Sequence, residues 1–159
     1  MIEPKYKLTE ETINVNGRTL HRVEALKDFG DVKKGDKGGF IENESNLSQS
    51  DNCWVYDNAQ VYDYAKVRDN ALVFGDAKVY DNALVRSNAK VFGEVRVFDN
   101  AMVYGNAKVY GEADVYDNAI VCDHAIVRSN AQVYDNAMVY GSAEIYGNTE
   151  VYGNTGVCN

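Results

Sequence analysis

The stretch "VYDNAQVYDYAKVRDNALVFGDAK" (Val55–Lys78) is four successive six-residue words, each opening on Val and carrying Ala in fifth place. The word "VYDNA" begins at Val55 and returns unchanged at Val79, Val115 and Val133. Extended in both directions, the period of six runs without insertion from Val55 to Gly156 as seventeen complete hexads. Position 1 is Val sixteen times and Ile once, at Ile145; position 5 is Ala except at Val95, Thr149 and Thr155. A fixed internal period takes precedence over any local reading, because each repeat is then one unit that buries its apolar side only against its neighbours.

A helix cannot use this pattern. Position 1 would drift around a 3.6-residue turn, and the load of β-branched residues disfavours the helical backbone. A short strand followed by a corner can use it. Positions 5 and 1 lie two residues apart, so both point to one side of a strand while positions 6 and 2 point to the other. Small Ala and branched Val then face inward. The corner falls at positions 3 and 4, where fifteen of the seventeen hexads carry Gly at position 3 or Asn at position 4. These are the residue types best able to take positive φ, so it is expected on the position-3 Gly or on the position-4 Asn. Asp63-Tyr64 and Asp123-His124 are the exceptions, Tyr64 being the one residue poorly suited to such a conformation. Three strands and three corners predict an 18-residue triangular coil, and coils stack at about 4.8 Å through parallel backbone pairing.

This pattern resembles the left-handed parallel β-helix of hexapeptide-repeat proteins; the hand is implied by the resemblance alone, since the general crossover rule favours the right hand. The expected fold class is therefore all-β, a left-handed parallel β-helix with an N-terminal β-hairpin cap. The hairpin reads from "TEETINV", Asn16-Gly17 and "RTLHRVEAL", since Asn-Gly between alternating runs is a strong two-residue turn signal. Ile41 and Leu47 already keep the period, with two residues inserted between Leu47 and Val55. The division is thus a cap and lead-in over 1–40 and a repeat region over 41–159. The segment "ALKDFGDVKKGDKGGFIENESNLSQSDNCWVYDNA" (25–59) is similar to the start of an enterobacterial hexapeptide-repeat family to which acyltransferase activity is ascribed, and the same vocabulary resembles phage and prophage proteins.

Composition narrows the function classes. The net charge is −8, and residues 41–159 carry eight Lys/Arg against seventeen Asp/Glu, so the acidity belongs to the repeats. Such a surface opposes direct nucleic-acid binding, which neutralises phosphates with basic side chains. No apolar run approaches a membrane span, the N-terminus does not read as a signal peptide, and three scattered cysteines form neither a disulfide framework nor a zinc motif. A cytoplasmic location, no metal and no membrane partner are the expectations.

The resemblance implies a His general base and an acyl-CoA such as acetyl-CoA, if the chain is an acyltransferase. His124 beside Asp123 is the candidate pair, because a neighbouring carboxylate can orient an imidazole. A corner that tolerates His accounts for His124 equally well. His21 alternates with apolar residues of the hairpin and reads as a cap residue. No loop interrupts the hexads, and no helical extension follows "GVCN", so a C-terminal edge available for end-to-end pairing is expected.

The outward positions sort into three faces. Face one carries Tyr56, Phe74, Phe92, Tyr110 and Tyr146, with Arg128 as the break; face two carries a continuous aromatic column from Tyr62 to Tyr152. On face three, Leu84, Met102, Ile120 and Met138 share one column and Tyr104, Cys122 and Tyr140 the other. Two adjoining apolar columns predict a homo-oligomer surface, dimeric or trimeric. The corner residues Asp57, Asp63, Asp69, Asp81, Asp99, Asp117 and Asp135 form an acidic edge, read either as turn chemistry or as a mimic of nucleic acid aimed at a host protein. A non-catalytic interaction scaffold, phage- or prophage-encoded and binding a host protein, is the first functional expectation; an acyltransferase and an acidic DNA mimic are the alternatives.

Overall fold

The computed structural model describes residues 3–159, and among them there is no α-helix. Strand β1 (Tyr6–Val15) and β2 (Arg18–Ala25) form an antiparallel hairpin, and β3 (Lys37–Ile41) pairs antiparallel with β2. Eighteen two-residue strands follow, from β4 (Trp54–Val55) to β21 (Gly156–Val157), one at every hexad junction and at each end of the hexad run. Every third strand stacks in register. Val61 pairs with Val79 and Val79 with Val97, and the same 18-residue step repeats on all three sides. The result is the triangular, left-handed β-helix expected.

Two sides are six-stranded parallel sheets, starting at β4 and at β6 (Lys66–Val67). The third is nine-stranded, because the hairpin and β3 continue it toward the N-terminus ahead of β5 (Gln60–Val61). Ile41 pairs with Val61 and Leu47 with Val67, both twenty residues apart, which is one coil plus the two-residue insertion. β3 passes close over the first coil: a Cβ on Gly39 would lie 2.6 Å from the Ala59 carbonyl and from Val55 Cγ1.

The interior is mostly Val and Ala, nearly all with no accessible surface, with Ile41, Leu47 and Ile145 among them. Three sheets meeting at a narrow triangle leave room for one branched and one small side chain per strand. That is the reason position 5 stays small. The N-terminal end is closed by larger groups. Trp54 is buried with Tyr6 and Phe29 edge-on to it, ring centroids 6.1 and 5.1 Å away. The buried Lys5 ammonium donates to the carbonyls of Cys53, Asp51 and Ser50 at 2.8, 3.2 and 3.3 Å and lies 4.7 Å from the Phe29 ring. A buried ammonium is tolerable when its donors are used in this way. Even so, burial holds its pKa below the usual lysine range.

The corners correct one expectation. The positive φ falls at position 3 in all seventeen hexads, between 57° and 78°, and never on the position-4 Asn. Asp57 and Ser87 adopt it as Gly75 does. Tyr64 is therefore no conformational anomaly. The preference for Asp at position 3 has a second cause: its carboxylate accepts the position-3 backbone N–H of the next coil. Asp99 N–H donates to Asp81 Oδ2, Asp117 N–H to Asp99 Oδ2 and Asp135 N–H to Asp117 Oδ2, each at 3.1 Å. The neighbouring Asn N–H donates to the corner carbonyl above, as Asn82 does to Asp99 O at 2.8 Å. Both backbone donors of the turn are thereby satisfied.

Replacing Asp99 tests this corner. Asp99→Ala should lose about 1–2 kcal/mol through the left-handed backbone penalty and a further ~1 kcal/mol through the orphaned Asp117 N–H. Asp99→Asn keeps both properties and should stay close to wild type in denaturant unfolding.

Candidate functional site

Each outward position belongs to a column set by the 18-residue step, so surface chemistry is written along the prism axis. On face two, Tyr62, Tyr80, Phe98, Tyr116, Tyr134 and Tyr152 form one unbroken stack with centroids 5.0–5.6 Å apart. Beside it, Arg96 grips Asp114 through Nε and Nη2 at 3.0 and 2.8 Å. On face one, Phe74, Phe92 and Tyr110 stack at 4.6 and 4.9 Å, while Tyr56 meets Phe74 edge-on. Arg128, which breaks that column, lies 4.9 Å from the Tyr146 ring and pairs with Glu144. Rings at rung spacing stabilise neighbouring coils.

Face three differs in character. Leu84, Met102 and Ile120 are half-buried and Met138 is exposed, all in one column. In the other, Tyr104 and Tyr140 are half-buried, and Cys122 between them is only 5% exposed. Cys122 is thus covered by its neighbours instead of presenting a surface of its own, and burial pushes its thiol pKa up. Arg86 lies 4.2 Å over the Tyr104 ring. The N-terminal part of this face carries Lys66 and Arg68, both exposed.

The edge between faces two and three bears Asp63, Asp81, Asp99, Asp117 and Asp135 in a single file, beside a column of Asn. A shallow groove of about 990 Å³ follows it from Arg18 to Asn154. Arg18 closes the N-terminal end by pairing with Glu42 at 3.0 Å and with Asp63. Asp57 and Asp69 hold the next coil on the other two edges, accepting from Gly75 N–H and Ser87 N–H at 2.9 and 3.0 Å.

His124 and Asp123 occupy a solvent-exposed corner. Asp123 Oδ2 accepts the Gly141 N–H at 2.9 Å, and the His124 backbone N–H donates to Gly141 O at 2.8 Å. The pair is thus part of the coil-to-coil ladder. His21 Nδ1 lies 2.9 Å from Thr9 O within the hairpin. Among the described residues no group of three or more His, Cys, Asp or Glu side chains is arranged to hold a metal, and no helix is long and apolar enough to cross a membrane.

Burial raises the phenol pKa values of Tyr6, Tyr56, Tyr62 and Tyr80, that of Tyr62 to about 12 from an ordinary 10.0. The folded chain therefore keeps protons that the unfolded chain releases, and stability present below pH 10 is lost as pH rises toward 12. Lys5, with its pKa lowered, works in the opposite sense, but it is one group against several. The guanidinium midpoint should fall between pH 9 and pH 11.5, and Tyr62→Phe should reduce that fall.

Two comparisons bear on this surface. A family model described as the YdcK β-solenoid repeat matches residues 95–111 and 131–147. Over 78 residues the chain is 36% identical to a protein of Escherichia coli (strain K12) named "Uncharacterized acetyltransferase YdcK". That match covers 43% of this chain and 24% of the relative, so it spans about a quarter of the relative's length. Both matched segments of the family model lie in the uninterrupted prism: the chain is a β-solenoid protein, and its repeats over those two segments are similar to the YdcK type.

Proposed function

We propose that the chain is a non-catalytic β-solenoid scaffold that assembles with further copies of itself through face three. The observation that carries this reading is the pairing of two apolar columns on that face. From Leu84 to Met138 and from Tyr104 to Tyr140 there is no charge, whereas the corresponding columns of the other faces hold Lys90, Lys108, Arg96, Asp114 and Glu144. Flat apolar faces of several coils mark contact surfaces in proteins. Assembly through face three leaves the aromatic faces and the acidic edge open to a second protein.

The acyltransferase reading has weaker support in the chain's own chemistry. An acyl-CoA carries a diphosphate, and the groove is lined by five carboxylates against one cation, Arg18, which is already paired. That groove does not fit such an anion. Asp123 is held by Gly141 N–H instead of orienting His124.

Sedimentation velocity over a concentration series tests the scaffold. Wild type should sediment as an oligomer. Met102→Glu should weaken association at least tenfold, about 1.4 kcal/mol, while the β-sheet circular dichroism is retained. A wild type that stays monomeric at every concentration would overturn the reading. So would acetyl-CoA turnover that disappears in His124→Ala.

A further inference from the structure

Face three has a polarity along the prism axis that selects one way for two copies to meet. In its first column the order from the N-terminal coil is Lys66, Leu84, Met102, Ile120, Met138, Gly156; in its second it is Arg68, Arg86, Tyr104, Cys122, Tyr140, Cys158. Both columns advance by the same 18-residue step, so rung n of one lies beside rung n of the other. Cations gather at one end and apolar groups fill the middle.

Two isologous face-to-face arrangements are available, each with its twofold axis in the interface plane. If the axis runs along the prism, the copies are parallel and the first column of one lies on the second column of the other. Lys66 then faces the partner's Arg68 twice over, and Leu84 faces the partner's Arg86. Like charges opposed across an interface cost several kcal/mol. If the axis runs across the prism, the copies are antiparallel and each column lies on its own counterpart. With the axis midway between Met102 and Ile120, Met102 meets the partner's Ile120 and Leu84 meets the partner's Met138. The Arg86 guanidinium, already 4.2 Å from its own Tyr104 ring, then meets the partner's Tyr140. Lys66 and Arg68 face the uncharged Gly156 and Cys158 rungs.

We infer that this protein forms an antiparallel twofold dimer through face three, centred between Met102 and Ile120. The inference rests on the scaffold reading and fixes its partner, orientation and register. Charge decides between the two arrangements, since both would bury the same apolar columns. The antiparallel one does bring the two Asp-bearing edges to the same side. Those carboxylates sit at the rim in water, where salt screens their repulsion, whereas Lys66 and Arg68 would be opposed within the contact itself.

The exposed Cys158 reports the orientation without any substitution, because Cys53 and Cys122 are buried. A nitroxide attached to Cys158 and read by double electron–electron resonance gives the distance between the two copies. In the antiparallel dimer the labels sit five rungs apart at about 4.8 Å per rung, and with an intersheet spacing of about 10 Å their separation is about 25–30 Å. In the parallel arrangement both labels lie at one end, within about 15 Å. Because the label sits at the end of the contact, sedimentation of the unlabelled protein separates the two levels of failure. A dimer with a single distance near 25–30 Å supports the inference. A dimer with a short distance, or a trimer, overturns the antiparallel arrangement and leaves the scaffold reading standing. A monomer overturns both. Arg86→Glu provides a second arm: it should loosen the antiparallel dimer by tenfold or more, and unchanged affinity would count against the Arg86–Tyr140 contact.

Discussion

The position-3 corner is the constraint from which the rest of the prism follows. Each hexad turns by placing one residue at positive φ, and seventeen consecutive hexads do so without a break. Ordinary L-residues resist this backbone, and Asp and Gly are the types that accept it at low cost. Asp contributes more than tolerance. Its carboxylate takes the N–H of the corner one coil above, so the turn that bends the chain also joins successive coils. Gly at the same place supplies the bend alone.

Once the corners are set, the strands between them have only two inward positions each. Val and Ala fill most of this narrow space, with Ile41, Leu47 and Ile145 in the Val position of their columns, and the outward positions fall into columns. A β-solenoid interface is therefore a property of columns. One charged rung among apolar ones, like Arg128 on face one, is absorbed by pairing with Glu144 and lying by Tyr146. Face three instead keeps its apolar rungs contiguous, and its cations lie together toward one end. The N-terminal end solves a different problem. There Trp54, in the outward column of Leu72, is covered by Tyr6 and Phe29, and the hairpin extends one sheet past the first coil.

The repeat, the three faces, the hairpin and the two-residue insertion before Val55 were all legible, because a period-six alternation of Val and Ala admits few other packings. The aromatic stacks were legible as columns for the same reason. The location of the positive φ was not: Asn at position 4 has the right intrinsic preference, and only the stacked backbone assigns the turn conformation to position 3. The acidic edge was legible as turn chemistry but not in its coil-to-coil hydrogen bonds. A row of Asp looks like an electrostatic surface until its carboxylates are seen accepting backbone N–H groups. Cys122 likewise counted as an outward apolar group, yet it is only 5% exposed, with Tyr104 of the adjacent rung against it.

By itself the sequence determined the coil, its register and the assignment of every outward residue to a face, since local alternation and a fixed period suffice for that. The tertiary structure alone decided which polar groups are committed between coils. The Asp81–Asp99–Asp117 ladder, the Lys5 ammonium among three carbonyls and the Gly141 N–H on Asp123 join residues 18 or more positions apart. Such hydrogen bonds depend on distances of about 3 Å across neighbouring coils, which residue type constrains and does not fix.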